Sequence, residues 1–373
     1  MMIKNTISAY IHIPFCKSKC NYCDFYSLTD QELLFEPYKN ALITEIKSCA
    51  ELESAQIATI FFGGGTPSLL PAEYLTEILE AFNNLQKNSE ITVECNPETI
   101  CSGYFDKLKS AGVNRISFGL QSANDKMLKK LGRIHDVKTF ESAYNSALQV
   151  GFNNINIDIM FSLPGQTLDD WEKTLNYVIS VNPTHISAYG LKIEESTPFF
   201  NDSSLNLPDD ELDREMYYKA NRMLKSVGYD RYEISNFAKS TFECEHNKVY
   251  WTHKDYISFG AAAHSFVNSQ RFNNIADISK YIKSNGNPRT LRQNFTDISK
   301  KDAMSEFMFL GLRMTDGVCK QKFFKQFNVD MFDIYNVQIK KLEKFGLLRQ
   351  SNDRIFLTDR GIDLSNYAFC EFV

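Results

Sequence analysis

The sequence predicts an α/β protein: a partial (β/α)6 TIM-like barrel followed by a smaller, mainly helical, winged-helix-like domain. Three observations predict it. Six short apolar runs alternate with helical patterns up to about residue 192, several of the helical patterns end in glycine, and the pattern changes to helix, helix, helix and hairpin after about residue 290.

The expected strands are residues 8–14, 58–62, 90–94, 115–121, 154–161 and 185–191, rich in β-branched and aromatic side chains. The expected helices between them, 31–53, 71–85, 98–111, 138–150 and 168–180, carry apolar residues at three- and four-residue spacing. Gly112 and Gly151 follow two of these helices, where the left-handed conformation that closes a helix costs glycine little. Right-handed crossovers between six parallel strands curl such a sheet toward a barrel, with reactive groups at the carboxyl ends of the strands. An open, doubly wound sheet is the alternative. A further helix is expected over 209–227, then an irregular stretch around 232–266. The C-terminal pattern gives helices at 301–312, 320–327 and 331–345, a hairpin over 346–357 and a last turn at 359–365. The expected division is 1–230 for the barrel, 231–289 for a connecting region and 290–373 for the C-terminal domain.

Length and composition agree with this. A chain of 373 residues has room for a barrel and a second module, burying about 75% of its unfolded surface. With 43% hydrophobic and 23% charged residues it lies in the globular range. Residues 1–8 lack the apolar run of a signal peptide, and no stretch approaches the ~20 apolar residues of a membrane span, so the expected location is the cytoplasm. A net charge of -5, evenly spread, gives no footprint for nucleic acid, and the C-terminal domain has no basic cluster beyond Lys340, Lys341 and Lys344.

Nine cysteines in a reducing compartment make a tight cysteine cluster a metal site sooner than a disulfide framework. Cys16, Cys20 and Cys23 follow the first strand with the spacing C-x-x-x-C-x-x-C. Thiolates so close can wrap an iron-sulfur cluster, and three ligands leave one iron of a [4Fe-4S] cubane open to an exogenous chelator. The spacing alone also admits zinc completed by His12 or Asp24, or three unrelated core thiols.

The second strand runs into Gly63-Gly64-Gly65-Thr66-Pro67, where the backbone can approach a ligand and turn its N–H groups toward an anion. A plain glycine turn is the other reading. Later strands bring polar groups in apolar surroundings: Glu94, Gln121 and Asp158, with Arg133 in a following loop. Buried carboxylates need a partner, either within the fold or in a ligand. Arg133 offers a planar fork suited to a carboxylate, or is a solvated loop charge.

The cysteine loop and the Gly-Gly-Gly-Thr-Pro loop together resemble the radical S-adenosylmethionine (SAM) superfamily. The resemblance implies a [4Fe-4S] cluster on Cys16, Cys20 and Cys23, SAM chelating the open iron, and reductive cleavage of SAM to a 5'-deoxyadenosyl radical. Tyr10 to Cys16, Glu94 with Asn96-Pro97, the strand ending at Gln121, Arg133, Asp158 before Leu163-Pro164-Gly165-Gln166-Thr167, and Glu306-Phe307-Met308 extend the likeness over nearly the whole chain. They resemble the family of oxygen-independent coproporphyrinogen III oxidase and its haem-chaperone relatives. What this implies is SAM contact by Tyr10, Tyr22, Gly64, Gly65, Thr66, Glu94, Gln121, Arg133 and Asp158, with Lys192 a weaker candidate.

Three features favour the chaperone side of that resemblance. Asp24-Phe25 stands where the oxidase carries a further cysteine, only nine residues precede Tyr10, and His246-Asn247-Lys248-Val249-Tyr250-Trp251 matches the H-N-x-x-Y-W pattern that the resemblance ties to haem. His246 is then the candidate axial ligand, with Tyr250 and Trp251 a wall or a second ligand, while Cys244, His253 and His264 stay open as substitutes. The implied cargo is haem and the implied partners are apo-haem proteins, respiratory enzymes among them, with dimerisation linked to cluster loading. A coproporphyrinogen dehydrogenase that decarboxylates two propionates is the alternative, and whether SAM is turned over stays open.

Overall fold

A computed structural model describes residues 6–373; residues 1–5 lie outside the described residues. Six parallel strands follow one another in space as in sequence: β1 (Thr6–Ile13), β2 (Gln56–Gly64), β3 (Leu85–Cys95), β4 (Arg115–Gln121), β5 (Ile155–Phe161) and β6 (His185–Gly190). Helices cross over between them on one face, as the repeated βα pattern requires. The strands alternate between two faces, with irregularities at Ile7–Ser8, Ile57–Thr59 and Gly119–Gln121. Ile11 and Ile13, Ile60 and Phe62, Val93, Ile116 and Phe118, and Ile157 and Ile159 turn outward and are buried under the helices. Each such side chain contributes ~1.5–3 kcal/mol of burial.

The other face is polar: Tyr10 and His12, Thr59, Thr92 and Glu94, Arg115 and Ser117, Asn156 and Asp158, and Ser187. The register sets Glu94 beside Ser117, Gly119 beside Asp158 and Asp158 beside Ser187. A polar inner face and an apolar outer face curve the sheet around a hydrophilic interior, so the partial barrel stands.

The edges are extended. β1 pairs with β9 (Tyr256–Phe259), which leads through β10 (His264–Val267) and β11 (Gln270–Asn274) to β12 (Arg292–Asp297); β6 pairs with β8 (Asn236–Ala238), which pairs with β7 (Asp230–Arg231). β1 and β6 thus spend their free edges on other strands and the barrel stays open. The stretch expected to be irregular, 232–266, supplies three of these strands, β8, β9 and β10. Three or four residues each, with polar members such as Asn236 and His264, they are too short for an alternation to show.

Helix bounds also shift. The helix expected over 71–85 is Ala72–Glu80, because Leu85 already starts β3. That expected over 98–111 divides: a short turn closes at Thr99, and helix Tyr104–Ser110 starts after Gly103, whose φ is 74°. Helix Asp125–Lys130, capped by Asn124, was not expected. Around a second apolar core, from Ala303 to Phe372, helices Lys300–Gly311, Lys320–Phe327 and Met331–Lys344 pack with a three-stranded sheet of β13 (Val318–Cys319), β14 (Leu348–Gln350) and β15 (Arg354–Leu357). This is the winged-helix-like domain.

Candidate cofactor site at the carboxyl ends of the strands

The loop after β1 is held from both sides. Cys16 N–H donates to Leu28 O at 2.9 Å and Leu28 N–H to Pro14 O at 2.8 Å, while Asn21 N–H donates to Leu131 O at 3.0 Å. The glycine loop after β2 is laced to it: Gly65 N–H donates to Ile13 O at 2.9 Å and Thr66 N–H to Phe15 O at 2.8 Å. Here glycine is required. Gly64 has a φ of 113°, and a Cβ there would lie 2.5 Å from the His12 ring; a Cβ on Gly65 would lie 2.7 Å from Phe15 O and 3.0 Å from Cys16 Sγ.

A cavity of about 420 Å³ opens between these loops and the inner face. Cys16, Cys20 and Cys23 line it, and so do Tyr22, Gly64, Gly65, Thr66, Glu94, Gln121, Arg133 and Asp158. Of the nine expected SAM residues only Tyr10 is outside the lining. Its hydroxyl is 3.1 Å from His12 Nδ1 and its ring stacks on Phe61, which does line the cavity. Lys192 is also elsewhere, 82% exposed and paired with Glu194 at 2.6 Å.

Arg133 is positioned by Asn96 Oδ1 at 2.7 Å and Gly119 O at 2.9 Å, with Nη1 3.7 Å from Cys20 Sγ. Asn96 in turn donates to Thr66 Oγ1 at 3.0 Å, and Thr66 Oγ1 is 3.5 Å from Cys16 Sγ. The arginine, the glycine loop and two of the cysteines therefore form one bonded unit. Gln121 takes a φ of 67° at the end of β4, strain of the kind found where a side chain must face a ligand.

The two carboxylates are buried. Asp158 accepts from Asn156 Nδ2 at 2.8 Å and Ser117 at 3.3 Å, and burial still raises its pKa. Burial, and then the charge of Asp158, push Glu94 up to about 8. Glu94 accepts from the Gly64 backbone N–H and lines the cavity. The inner face adds Arg115, Asn156, Ser187 and Tyr189 to the lining, with Asn247 from helix Glu245–Trp251. Sequence reasoning gave Arg115, Asn156, Ser187 and Tyr189 no role, although alternation along β4 from Gln121 back to Arg115 and along β5 from Asp158 back to Asn156 marks the first two as inward-facing; Asn247 entered only as part of the haem pattern.

The donor set fits a cubane better than a single ion. Both nitrogens of His12 are engaged, Nδ1 with Tyr10 and Nε2 with Tyr26 O at 2.9 Å, so His12 is not the fourth ligand of a zinc site. Among the described residues no three His, Cys, Asp or Glu side chains converge on one ion. Cluster ligands sit on separate irons and need not converge. Cys16, Cys20 and Cys23 would hold three irons, and such a group, when bound, supplies one-electron chemistry.

The haem candidates lie on helix Glu245–Trp251, which packs against β2. His246 is buried, its Nδ1 2.7 Å from Thr59 Oγ1, its Nε2 2.9 Å from Tyr250 Oη, and its ring stacked on Phe61. Burial, reinforced by Arg115, lowers its pKa to about 3, so the ring is neutral. Trp251 alone of the three reaches open volume, in a second groove on the far side of the helix. Cys244 is buried with its thiol toward Glu90, while His253 lines the second groove.

Fold, cysteine loop and glycine loop together define a radical SAM protein, and the Radical SAM superfamily model matches residues 10–178. The HemN C-terminal domain model matches residues 298–364. Along its whole length the chain is similar to proteins named "Heme chaperone HemW": 37% identical to that of Bacillus subtilis, covering 98% of this chain and 99% of the relative, and 36% identical to that of Lactococcus lactis, covering 100% and 98%. The chain belongs to the HemW family. Among solved structures, coproporphyrinogen III oxidase (HemN) of Escherichia coli superposes with a TM-score of 0.86 at 22% identity, covering 99% of this chain and 90% of that one, which establishes the shared fold.

Proposed function

We propose that this chain is a haem chaperone, binding haem and passing it to apo-haem proteins while carrying a [4Fe-4S] cluster and SAM. The observation that carries the reading is the end-to-end relationship to HemW proteins, which spans barrel, connecting region and C-terminal domain alike. On this reading Cys16, Cys20 and Cys23 hold the cluster. Arg133 takes the methionyl carboxylate of SAM, and Glu94 and Asp158 take its ribose or amino groups. Gly64, Gly65 and Thr66, whose N–H groups are taken by Glu94, Ile13 O and Phe15 O, pack against SAM, and Tyr22 and Gln121 close the sides. The three parts, 1–230, 231–289 and 290–373, then correspond to cofactor barrel, haem motif and C-terminal domain.

His246, Tyr250 and Trp251 carry the haem motif, but not as a preformed iron site. His246 can ligate only after giving up its bonds to Thr59 and Tyr250, each worth ~1 kcal/mol. The cytoplasm is the working location. No helix among the described residues is long and apolar enough to cross a membrane.

The test is anaerobic titration of the cluster-reconstituted chain with haem, followed by transfer to an apo-haem acceptor. Saturable binding and acceptor loading are expected. Failure to bind haem, or conversion of coproporphyrinogen to protoporphyrinogen with SAM and a reductant, would overturn the reading in favour of the dehydrogenase.

A further inference from the structure

The groove on the far side of the motif helix is larger than the cofactor cavity, about 1210 Å³. Its roof is the amino-terminal ends of β1 to β3, with Thr6, Ser8, Thr59 and Glu90; one wall is the motif helix and the other is the C-terminal domain. Ligand clefts commonly measure ~300–1,000 Å³, so a large planar molecule can enter. The cofactor cavity, at about 420 Å³ and already lined by the cysteines and the SAM candidates, has no room for one as well.

The lining is divided by chemistry. Val249 and Trp251 on the helix face Phe307, Met314 and Val318 of the C-terminal domain. The Trp251 ring is covered by the Arg313 guanidinium at 4.2 Å, while its Nε1 is buried without a partner. His253, whose side chain is 4% exposed, is held through Nε2 by Glu306 at 2.9 Å and leaves Nδ1 buried without a partner on the same groove. Two buried polar atoms on one wall thus await an acceptor or a ligand.

Charge points the same way. Each acid of the lining already has a partner in the protein: Glu243 and Glu245 pair with Lys248, Asp316 with Arg354, Glu90 accepts the N–H groups of Glu245 and His246, and Asp255 accepts from Asn268 N–H. Lys254, Lys322 and Lys325 make no ion pair among the described residues. Lys322 and Lys325 stand three apart on helix Lys320–Phe327, hence on one face and within reach of one dianion.

We propose that this groove is the haem seat, with the propionates received by Lys322 and Lys325 of the C-terminal domain and the porphyrin lying against Trp251. The proposal rests on the haem-chaperone reading and deepens it. Haem suits the lining: one apolar face for Trp251, Val249 and Met314, and two carboxylates at one edge for the paired lysines. The C-terminal domain then contributes half of the cargo site.

The experiment uses the full, cluster-reconstituted chain with two probes, haem and haem dimethyl ester, which lacks the carboxylates. The Lys322→Glu/Lys325→Glu variant should bind haem about tenfold or more weakly than wild type, yet bind the dimethyl ester no worse than wild type does. A control, Lys340→Glu/Lys344→Glu, makes the same charge change outside the groove and should leave haem affinity within about twofold. Unchanged haem affinity in the first variant, or equal weakening by both pairs, would overturn the seat while leaving the chaperone reading intact. Absence of haem binding by wild type would instead remove the reading itself.

Discussion

Glu45 gives the sharpest test of how the barrel edge is held. Its carboxylate is fully buried and receives three donors: Asn274 Nδ2 at 2.7 Å, Tyr281 Oη at 2.5 Å and Gly260 N–H at 3.0 Å. These tie helix Phe35–Lys47 to the segments added beside β1, and Tyr38 on the same helix donates to His12 O at 2.8 Å, two residues before Pro14, where the chain leaves β1 for the cysteine loop. Burial outweighs the three donors and raises the Glu45 pKa to about 7. Because the folded value lies above the unfolded one, the stability that Glu45 contributes is complete below the unfolded pKa of about 4.5 and is lost as pH rises through the folded value. The whole shift is worth ~3 kcal/mol, most of which falls between pH 5 and 8. Urea unfolding of the cluster-free chain in reductant, followed by Trp171 and Trp251 fluorescence, should therefore show wild type losing ~2–3 kcal/mol relative to Glu45→Gln across that range. Glu94, raised to about 8, titrates in both proteins and cancels in the difference. Stability curves of the two proteins that run parallel with pH would refute the reasoning.

Gly64→Ala should destabilise the chain by ~2 kcal/mol or more, because it combines a positive φ with a Cβ inside the His12 ring; a wild-type melting temperature and full cluster content after reconstitution would contradict the close approach. Glu306→Gln loosens the bidentate contact with Arg271, 2.6 and 2.7 Å, and the bond to His253 that docks the C-terminal domain on the sheet. Burial opposes ionisation there, but His253 and Arg271 hold the Glu306 carboxyl down to about 2. With Arg271 partly exposed the loss should be only ~1–2 kcal/mol, read as faster proteolytic cleavage within residues 292–300, and an unchanged cleavage rate would count against the clamp.

The sheet and its cofactor end were legible because they are written in local signals. Strand β4 was placed to the residue, since an Ile-Ser-Phe-Gly-Leu-Gln run alternates and is bounded by turns. Cysteines and glycines announce themselves by type and spacing, and the strand order brings Glu94, Gln121 and Asp158 to the same end without further information. What was not legible depends on distant pairings. Nothing local marks β12 as a partner of β11, eighteen residues after it ends, or Arg292 as the partner of Glu51 at 2.5 Å. Asn96 was noticed only as part of a motif, whereas its role as the bridge between Arg133 and Thr66 appears once three strand ends meet.

The haem motif shows where reading residues in a row fails. Written out, His-Asn-x-x-Tyr-Trp looks like one wall carrying a ligand and two aromatic rings. Folded as a helix, residues four apart lie on one face, so the histidine and the tyrosine are spaced to meet each other, and they do, at 2.9 Å. Asn247 turns to the cofactor cavity, Lys248, Val249 and Trp251 turn to the groove, and His246 lies between the two, stacked on Phe61 of the cavity wall. The motif is a partition. Drawing His246 toward a ligand in the groove would break its bond to Thr59 on β2 and unstack it from a ring that lines the cofactor cavity. On the proposed reading, the helix that carries the cargo motif also places Asn247 on the cofactor cavity and stacks His246 on Phe61 of its wall, so a displacement of His246 on the groove side would be felt on the cavity side.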